Sequence, residues 1–151
     1  MRLKSFSILA SAALVLVGTS LGFAQDEFVV PDSPEDIVAV RQALMKEDGG
    51  ILRQAGELSG AEAVAAMQTV ITNYSHIPAL FPEGSIVGDS GALPVIWEDF
   101  DAFTAIVDTG TEAAKTAMAA AEAGDGTAYG AALKALGGSC GACHQQFRQP
   151  Q

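Results

Sequence analysis

Apolar residues recur every three or four positions through most of the chain beyond residue 33. This spacing places them on one face of an α-helix, and no segment shows the sustained two-residue alternation expected of a half-buried strand. Turn and capping signals at residues 33–34, 59–60, 94 and 124–126 divide the pattern into four segments. Four amphipathic segments with short links predict an all-α fold, an antiparallel four-helix bundle.

Local signals set the expected helix boundaries. Ser33 and Pro34 are typical of a helix start, and residues 59–62 have the Ser-x-x-Glu pattern of a capping box. Residues 76–93, rich in glycine and proline, form the longest irregular stretch. We expect helices over about residues 34–55, from 59 to just before Pro78, 94–124, and from the turn at 124–126 to about Phe147.

The first two dozen residues have the layout of a secretory signal peptide. Arg2 and Lys4 provide a basic start, residues 8–17 form an apolar run, and small residues precede the bond after Ala24. The run is too short for a spanning helix, although an uncleaved anchor is the alternative. We therefore expect cleavage after Ala24, export to the periplasm without membrane insertion, and a mature domain of residues 25–151.

The mature chain is strongly acidic. Residues 25–151 contain six Lys and Arg against eighteen Asp and Glu, which gives a net charge of about −12. Such a surface disfavours nucleic acid and anionic lipid and favours basic partners, although solubility alone would also explain the charge.

Both cysteines of the chain, Cys140 and Cys143, lie three positions apart near the C-terminus, and His144 follows directly. A zinc site would need a second pair of ligands, and the sequence has no second cysteine pair. A thioredoxin-like dithiol would follow a strand, and a structural disulfide here would close too small a loop to restrain the unfolded chain much. The C-x-x-C-H pattern is typical of covalent haem attachment, which is the interpretation we favour.

Haem attachment gives each of the three residues a role. The two thiols add to the two haem vinyl groups, and a three-residue offset on a helix brings both sulfurs to one face. His144 is then placed to bind the iron as the proximal ligand. The motif thus predicts one covalent haem c, with its iron, as the cofactor.

Three longer segments add to the haem motif: SPEDIVAVRQALMK at 33–46, LFPEGSIVGDSGALPVIWEDFDAF at 80–103 and AGDGTAYGAALKALGGSCGACHQQFR at 123–148. They resemble the first helix, the central loop with the start of the third helix, and the last helix of class II c-type cytochromes, the cytochrome c′ family and its low-spin relatives. The likeness covers essentially the whole mature chain. It implies a haem held inside a four-helix bundle.

The resemblance also implies roles outside the motif. Arg41 and Gln42 would lie near a haem propionate, where a guanidinium can pair with a carboxylate. Without the resemblance, Arg41 would be interpreted as a surface cation. Arg148 would lie beside the proximal face of the haem. The alternative is that Arg148 is a surface cation favoured by the negative end of the helix dipole. Met45 would face the open side of the iron, as a sixth ligand or as a steric cover. Met118 is the main alternative methionine that could supply the ligand sulfur.

Two functions follow from these alternatives. A ligated Met45 favours an electron carrier whose redox partners present a basic patch, and an open iron site favours binding of nitric oxide or carbon monoxide. A thiol oxidoreductase is disfavoured because no strands are predicted. The sequence has no hydrolytic triad or phosphate-binding loop, so we expect no enzyme. The resemblance also suggests a homodimer through the first two helices, where small residues would permit close approach: Ala61, Ala63, Ala65 and Ala66.

Overall fold

A computed structural model describes residues 28–150 of the chain. The signal peptide and its cleavage after Ala24 lie outside the described residues, so they stay predictions. Five helices are present: α1 (Pro34–Ala55), α2 (Gly60–His76), α3 (Val95–Glu98), α4 (Phe100–Glu122) and α5 (Gly126–Phe147). The four long helices form the predicted four-helix bundle, and α3 is a single turn that leads into α4.

The starts of α1 and α5 follow directly from the local sequence. Ser33 caps α1, because its hydroxyl oxygen accepts a hydrogen bond from the backbone N–H of Asp36 at 3.1 Å. Asp125 caps α5 in the same way, accepting from the N–H of Ala128 at 2.9 Å. Gly124, with a φ of 69°, provides the left-handed residue that turns the chain between α4 and α5.

Two of the helix predictions are wrong in detail. Ser59 precedes α2 but its side chain makes no capping bond, since Gly60 has a left-handed φ of 52° that a capping box does not accommodate. The predicted third helix is interrupted at Asp99, whose φ of −139° and ψ of 62° lie outside the helical region. The Asp99 side chain then caps α4 by accepting from the N–H of Ala102 at 3.1 Å.

The helices of the bundle are not packed equally tightly. α4 packs closely along both α2 and α5, and its buried face includes small residues that permit this approach: Gly110, Ala114 and Ala117. α1 contacts α2, but it makes few contacts with α5. The space between α1 and α5 is therefore where the bundle has room for a ligand.

A loop after α2 closes one end of this space. The loop contains a 3₁₀ turn at Pro78–Leu80, and its later part pairs with the segment that follows α5. The N–H of Leu93 donates to the carbonyl of Phe147 at 2.9 Å, and the N–H of Gln149 donates to the carbonyl of Gly91 at 2.8 Å. This single antiparallel bridge is the only β-type pairing within residues 28–150. None of the helices described is both long and apolar enough to cross a membrane.

Candidate functional site

A cavity of about 430 Å³ lies inside the bundle, bounded by α1, α2, α4, α5 and the loop that follows α2. Its volume is within the range of sites that hold cofactors and other small molecules. All seven residues that the sequence singled out line this one cavity: Arg41, Gln42, Met45, Cys140, Cys143, His144 and Arg148. The structure thus brings together residues from the first helix and from the last.

The α5 wall carries the haem motif. Cys140 and Cys143 are free thiols, both half-buried. Burial, together with the neighbouring Cys140, raises the pKa of Cys143 to about 11, so its thiol is protonated at neutral pH. Burial and the positive charge of Arg148 lower the pKa of His144, which favours the neutral imidazole that a metal ion requires. The wall therefore presents two reduced sulfurs and one ligand-competent nitrogen.

The α1 wall carries Met45 and Arg41, which are one helical turn apart. Met45 is half-buried at the cavity. The other two methionines of the described residues do not line the cavity. Met67 is fully buried in the core, and Met118 packs against the core from α4. Met45 is the methionine that lines the cavity in the described part of the chain.

Arg41 is buried, with only 5% of its surface exposed, so the interpretation as a surface cation is wrong. Its guanidinium donates hydrogen bonds to the Oγ atoms of Ser85 and Ser90, each at 3.3 Å, and to the carbonyl of Ser85. It also lies over the ring of Phe81, 4.4 Å from the centroid. Burial lowers the pKa of Arg41, yet a guanidinium keeps its charge in proteins.

Arg41 forms no salt bridge with any acidic side chain of the described residues. Within residues 28–150 the one salt bridge joins Lys115 to Glu112, and no carboxylate pairs with Arg41. A buried cation is costly unless an anion accompanies it. A carboxylate-bearing ligand in the cavity would supply that anion.

Gln42 and Arg148 occupy the edges of the cavity. Gln42 is exposed. Arg148 follows the end of α5 in extended backbone, with a φ of −126°, and pairs with Ala92 of the loop. Its side chain lies against Gly91, where an added Cβ would be 3.6 Å from the Cγ and Nε atoms of Arg148. The loop after α2 therefore fixes both Arg41 and Arg148.

Aromatic rings form much of the apolar wall. Phe103 is buried and contacts the rings of Phe81 and Phe147, with centroids 4.8 and 5.4 Å away, and all three line the cavity. Tyr129, by contrast, donates to the carbonyl of Ala55 away from the cavity. Phe81, Phe103 and Phe147 are therefore the phenylalanine rings that face the site among the described residues.

Tyr74 is a site residue that sequence reasoning missed. Its side chain is buried and lines the cavity from α2, and its hydroxyl oxygen lies 3.1 Å from the Sγ atom of Cys140. The residues are 66 positions apart, and the 3.6-residue pattern identified Tyr74 only as part of an apolar helix face. No local signal distinguishes it from a core tyrosine.

His76, the other histidine, does not belong to the site. It is the last residue of α2, although the sequence suggested a loop position, and its ring stacks on Phe28 with centroids 3.8 Å apart. His144 is therefore the histidine at the cavity among the described residues.

The residues present fit a covalently attached haem. Two reduced thiols and a neutral imidazole stand together on one helix, apolar rings form the walls, and a buried guanidinium lacks a carboxylate. A zinc or thiol–disulfide site would use the cysteines but would leave the apolar cavity and Arg41 unexplained. The fold and the site together define a class II, four-helix c-type cytochrome.

Comparison with known proteins gives the family. The sequence matches the cytochrome c′ family over residues 36–148. It is 32% identical over 147 residues to cytochrome c′ of Rhodospirillum rubrum, covering 97% of this chain and 99% of that protein. It is 40% identical over 119 residues to cytochrome c-556 of Agrobacterium tumefaciens strain II Chrys, covering 74% of this chain and 95% of the relative.

A solved structure agrees with this assignment. The nitric oxide complex of a variant of cytochrome c prime from Alcaligenes xylosoxidans superposes with a TM-score of 0.72 at 26% identity, covering 80% of this chain and 99% of that one. The chain belongs to the cytochrome c′ family, and its cofactor is a covalently bound haem c with its iron. The predictions of family, fold class and cofactor are confirmed.

Proposed function

We propose that this protein is a periplasmic electron carrier in which haem would be attached through Cys140 and Cys143, with His144 and Met45 as the side chains that would bind its iron. Bound haem supplies a one-electron iron couple. We propose a carrier and not an enzyme. The part of the chain is to hold the haem, to set the reduction potential and to present a docking surface.

The observation that supports Met45 as a ligand is its position. Met45 lines the cavity from α1 while His144 lines it from α5. Iron in electron-transfer cytochromes is commonly held by one methionine and one histidine, and a thioether raises the reduction potential. Two axial ligands also keep the iron from exchanging ligands during electron transfer.

The acidic surface supports a protein partner of opposite charge. The mature chain has a net charge of about −12, and surface charge of one sign steers a basic partner toward it and speeds association. It also disfavours nucleic acid. We expect electron transfer to a basic redox protein to slow as ionic strength rises.

A second function is favoured by one observation, the nitric oxide complex of the cytochrome c prime from Alcaligenes xylosoxidans. If Met45 covers the iron without binding it, a gas molecule has a coordination position to occupy. The protein would then bind nitric oxide or carbon monoxide and sequester it. The two functions differ in what Met45 does, so they are separable by experiment.

The test is the absorption spectrum of the reduced holoprotein, followed by its mixing with carbon monoxide. An electron carrier with Met45 on the iron should give sharp, split visible bands and should bind carbon monoxide slowly. Broad, unsplit bands with rapid carbon monoxide binding would contradict the carrier and favour gas binding. Denaturing mass spectrometry on the same sample measures haem attachment, which should vanish when Cys140 and Cys143 are both replaced by serine.

Assembly as a homodimer through α1 and α2 stays a prediction. A shallow groove between these two helices is lined in part by small residues, among them Ala43, Gly50 and Ala66. Light scattering of the holoprotein at high micromolar concentration should give a dimer mass, and a monomer mass would contradict this arrangement.

A further inference from the structure

The contact between Tyr74 and Cys140 is built by three helices. Tyr74 extends from α2 past α4, and its hydroxyl oxygen reaches the Cys140 sulfur on α5 at 3.1 Å. The path is open because α4 has glycine at position 110. A Cβ atom there would lie 2.2 Å from Cε1 of Tyr74 and 2.7 Å from Oγ of Ser139, closer than atoms can approach. The fold therefore makes specific room for this ring.

The chemistry of haem attachment decides which atom donates. In the free thiol either the hydroxyl or the sulfur could be the donor. Attachment adds the S–H bond across a vinyl double bond: the sulfur bonds to one carbon, the hydrogen goes to the other, and nothing leaves. The Cys140 sulfur then has no hydrogen and can only accept, so Tyr74 is left as the donor.

A further observation keeps Tyr74 in that role. Burial, then the contact with Cys140, raises the pKa of Tyr74 above its ordinary value, although the neighbouring Ser139 hydroxyl acts in the opposite direction, so the Tyr74 hydroxyl keeps its proton at any physiological pH.

We propose that Tyr74 is a positioning residue of the haem site, whose hydroxyl donates a hydrogen bond to the Cys140 thioether and thereby raises the reduction potential of the haem. The positive end of the O–H dipole would point at the Cys140 sulfur inside a poorly polarisable interior, where such interactions are strong. Reduction adds one electron to the haem, so this dipole stabilises the reduced form more than the oxidised form. The proposal requires attachment at Cys140, and it holds whether the iron has five or six ligands.

The experiment compares three holoproteins: the parent, Tyr74→Phe and the control Tyr129→Phe. The two tyrosines are equally buried, at 6% exposure each, but Tyr129 donates to the carbonyl of Ala55 and does not line the cavity. Both variants lose one hydroxyl. Only the loss at Tyr74 should affect the haem.

Two measurements are made on each protein. The C–S stretching bands of the thioethers, recorded by resonance Raman spectroscopy, should shift on transfer to D₂O in the parent and in Tyr129→Phe, but not in Tyr74→Phe. At a fixed applied potential, the ratio of reduced to oxidised haem should be about two- to fivefold lower in Tyr74→Phe, as expected for one weak hydrogen bond. The proposal would be overturned if the C–S bands of Tyr74→Phe shifted in D₂O as much as those of the parent. It would also be overturned if Tyr129→Phe changed the reduction potential as much as Tyr74→Phe does.

A second approach avoids any change in packing, in case Tyr74→Phe does not fold. The chain has two tyrosines, so a fluorotyrosine incorporated into Tyr129→Phe labels position 74 alone. The fluorinated phenol is more acidic and donates more strongly, which should raise the reduction potential. An unchanged or lowered potential would contradict the proposal. Denaturing mass spectrometry of each sample separately reports whether both thioether bonds are present, so a failure of haem attachment is not mistaken for a failure of the Tyr74 role.

Discussion

Asp48→Asn should stabilise the folded protein at neutral pH and lose that advantage in acid. Asp48 lies on α1 with 4% of its surface exposed. Its Oδ1 atom accepts from Nδ2 of Asn73 at 2.8 Å, whereas Oδ2 has no hydrogen-bond partner within the described residues. Burial raises the pKa of Asp48 from 3.8 to about 6, opposed by the Asn73 bond and reinforced by the charge of Glu47.

The sign and size of the effect follow from this shift. Between pH 4 and pH 6 the folded state holds a proton on Asp48 that the unfolded state has released. The contribution of Asp48 to the free energy of unfolding therefore falls as pH rises. A pKa raised from 3.8 to about 6 corresponds to a free energy of at most about 3 kcal/mol. An asparagine is neutral throughout, and its oxygen can still accept from Asn73.

Urea unfolding of the ferric holoprotein, followed by circular dichroism, measures this directly. The free energy of unfolding of Asp48→Asn minus that of the parent should be about 1–3 kcal/mol larger at pH 7.5 than at pH 4. The control is Asp108→Asn, which removes an exposed carboxylate from α4. A difference for Asp48→Asn that is independent of pH, or that grows in acid, would refute the reasoning.

Two further variants probe the packing and charge around the cavity. Gly110→Ala should destabilise the protein by about 1–3 kcal/mol, because the new methyl group meets the ring of Tyr74; thermal unfolding should show no such loss for Gly137→Ala, whose Cβ points into open space. Arg41→Gln should lower the reduction potential, since a positive charge near the haem favours the reduced form, whereas exposed Arg53→Gln should change it little. Equal potentials for Arg41→Gln and the parent would contradict a haem-facing role for this guanidinium.

The features that the sequence predicted well depend on residues that are close together in the sequence. The haem motif lies within five consecutive residues, so it can be recognised from the sequence without knowledge of the fold. The start of α1 follows from Ser33 and Pro34, and the start of α5 follows from the turn at 124–126. The helical spacing of apolar residues was enough to predict the bundle, because packing of amphipathic faces has few solutions for four helices.

The features that the sequence did not predict depend on tertiary contacts. The break before α4 accompanies a bond from Nε1 of Trp97 to the carbonyl of Phe81 at 3.0 Å, which no local pattern signals. The burial of Arg41 depends on a loop more than forty residues away. The role of Tyr74 depends on a glycine in a different helix.

The ferric electron paramagnetic resonance spectrum at pH 7 tests the central claim most directly, because it reports the spin state of the iron. With His144 and Met45 both bound, the parent should give a low-spin signal, and Met45→Ala should convert it to high-spin. Met118→Ala, which removes a sulfur that does not line the cavity, should leave the low-spin signal unchanged. A high-spin signal from the parent, or a low-spin signal that survives in Met45→Ala, would contradict the account.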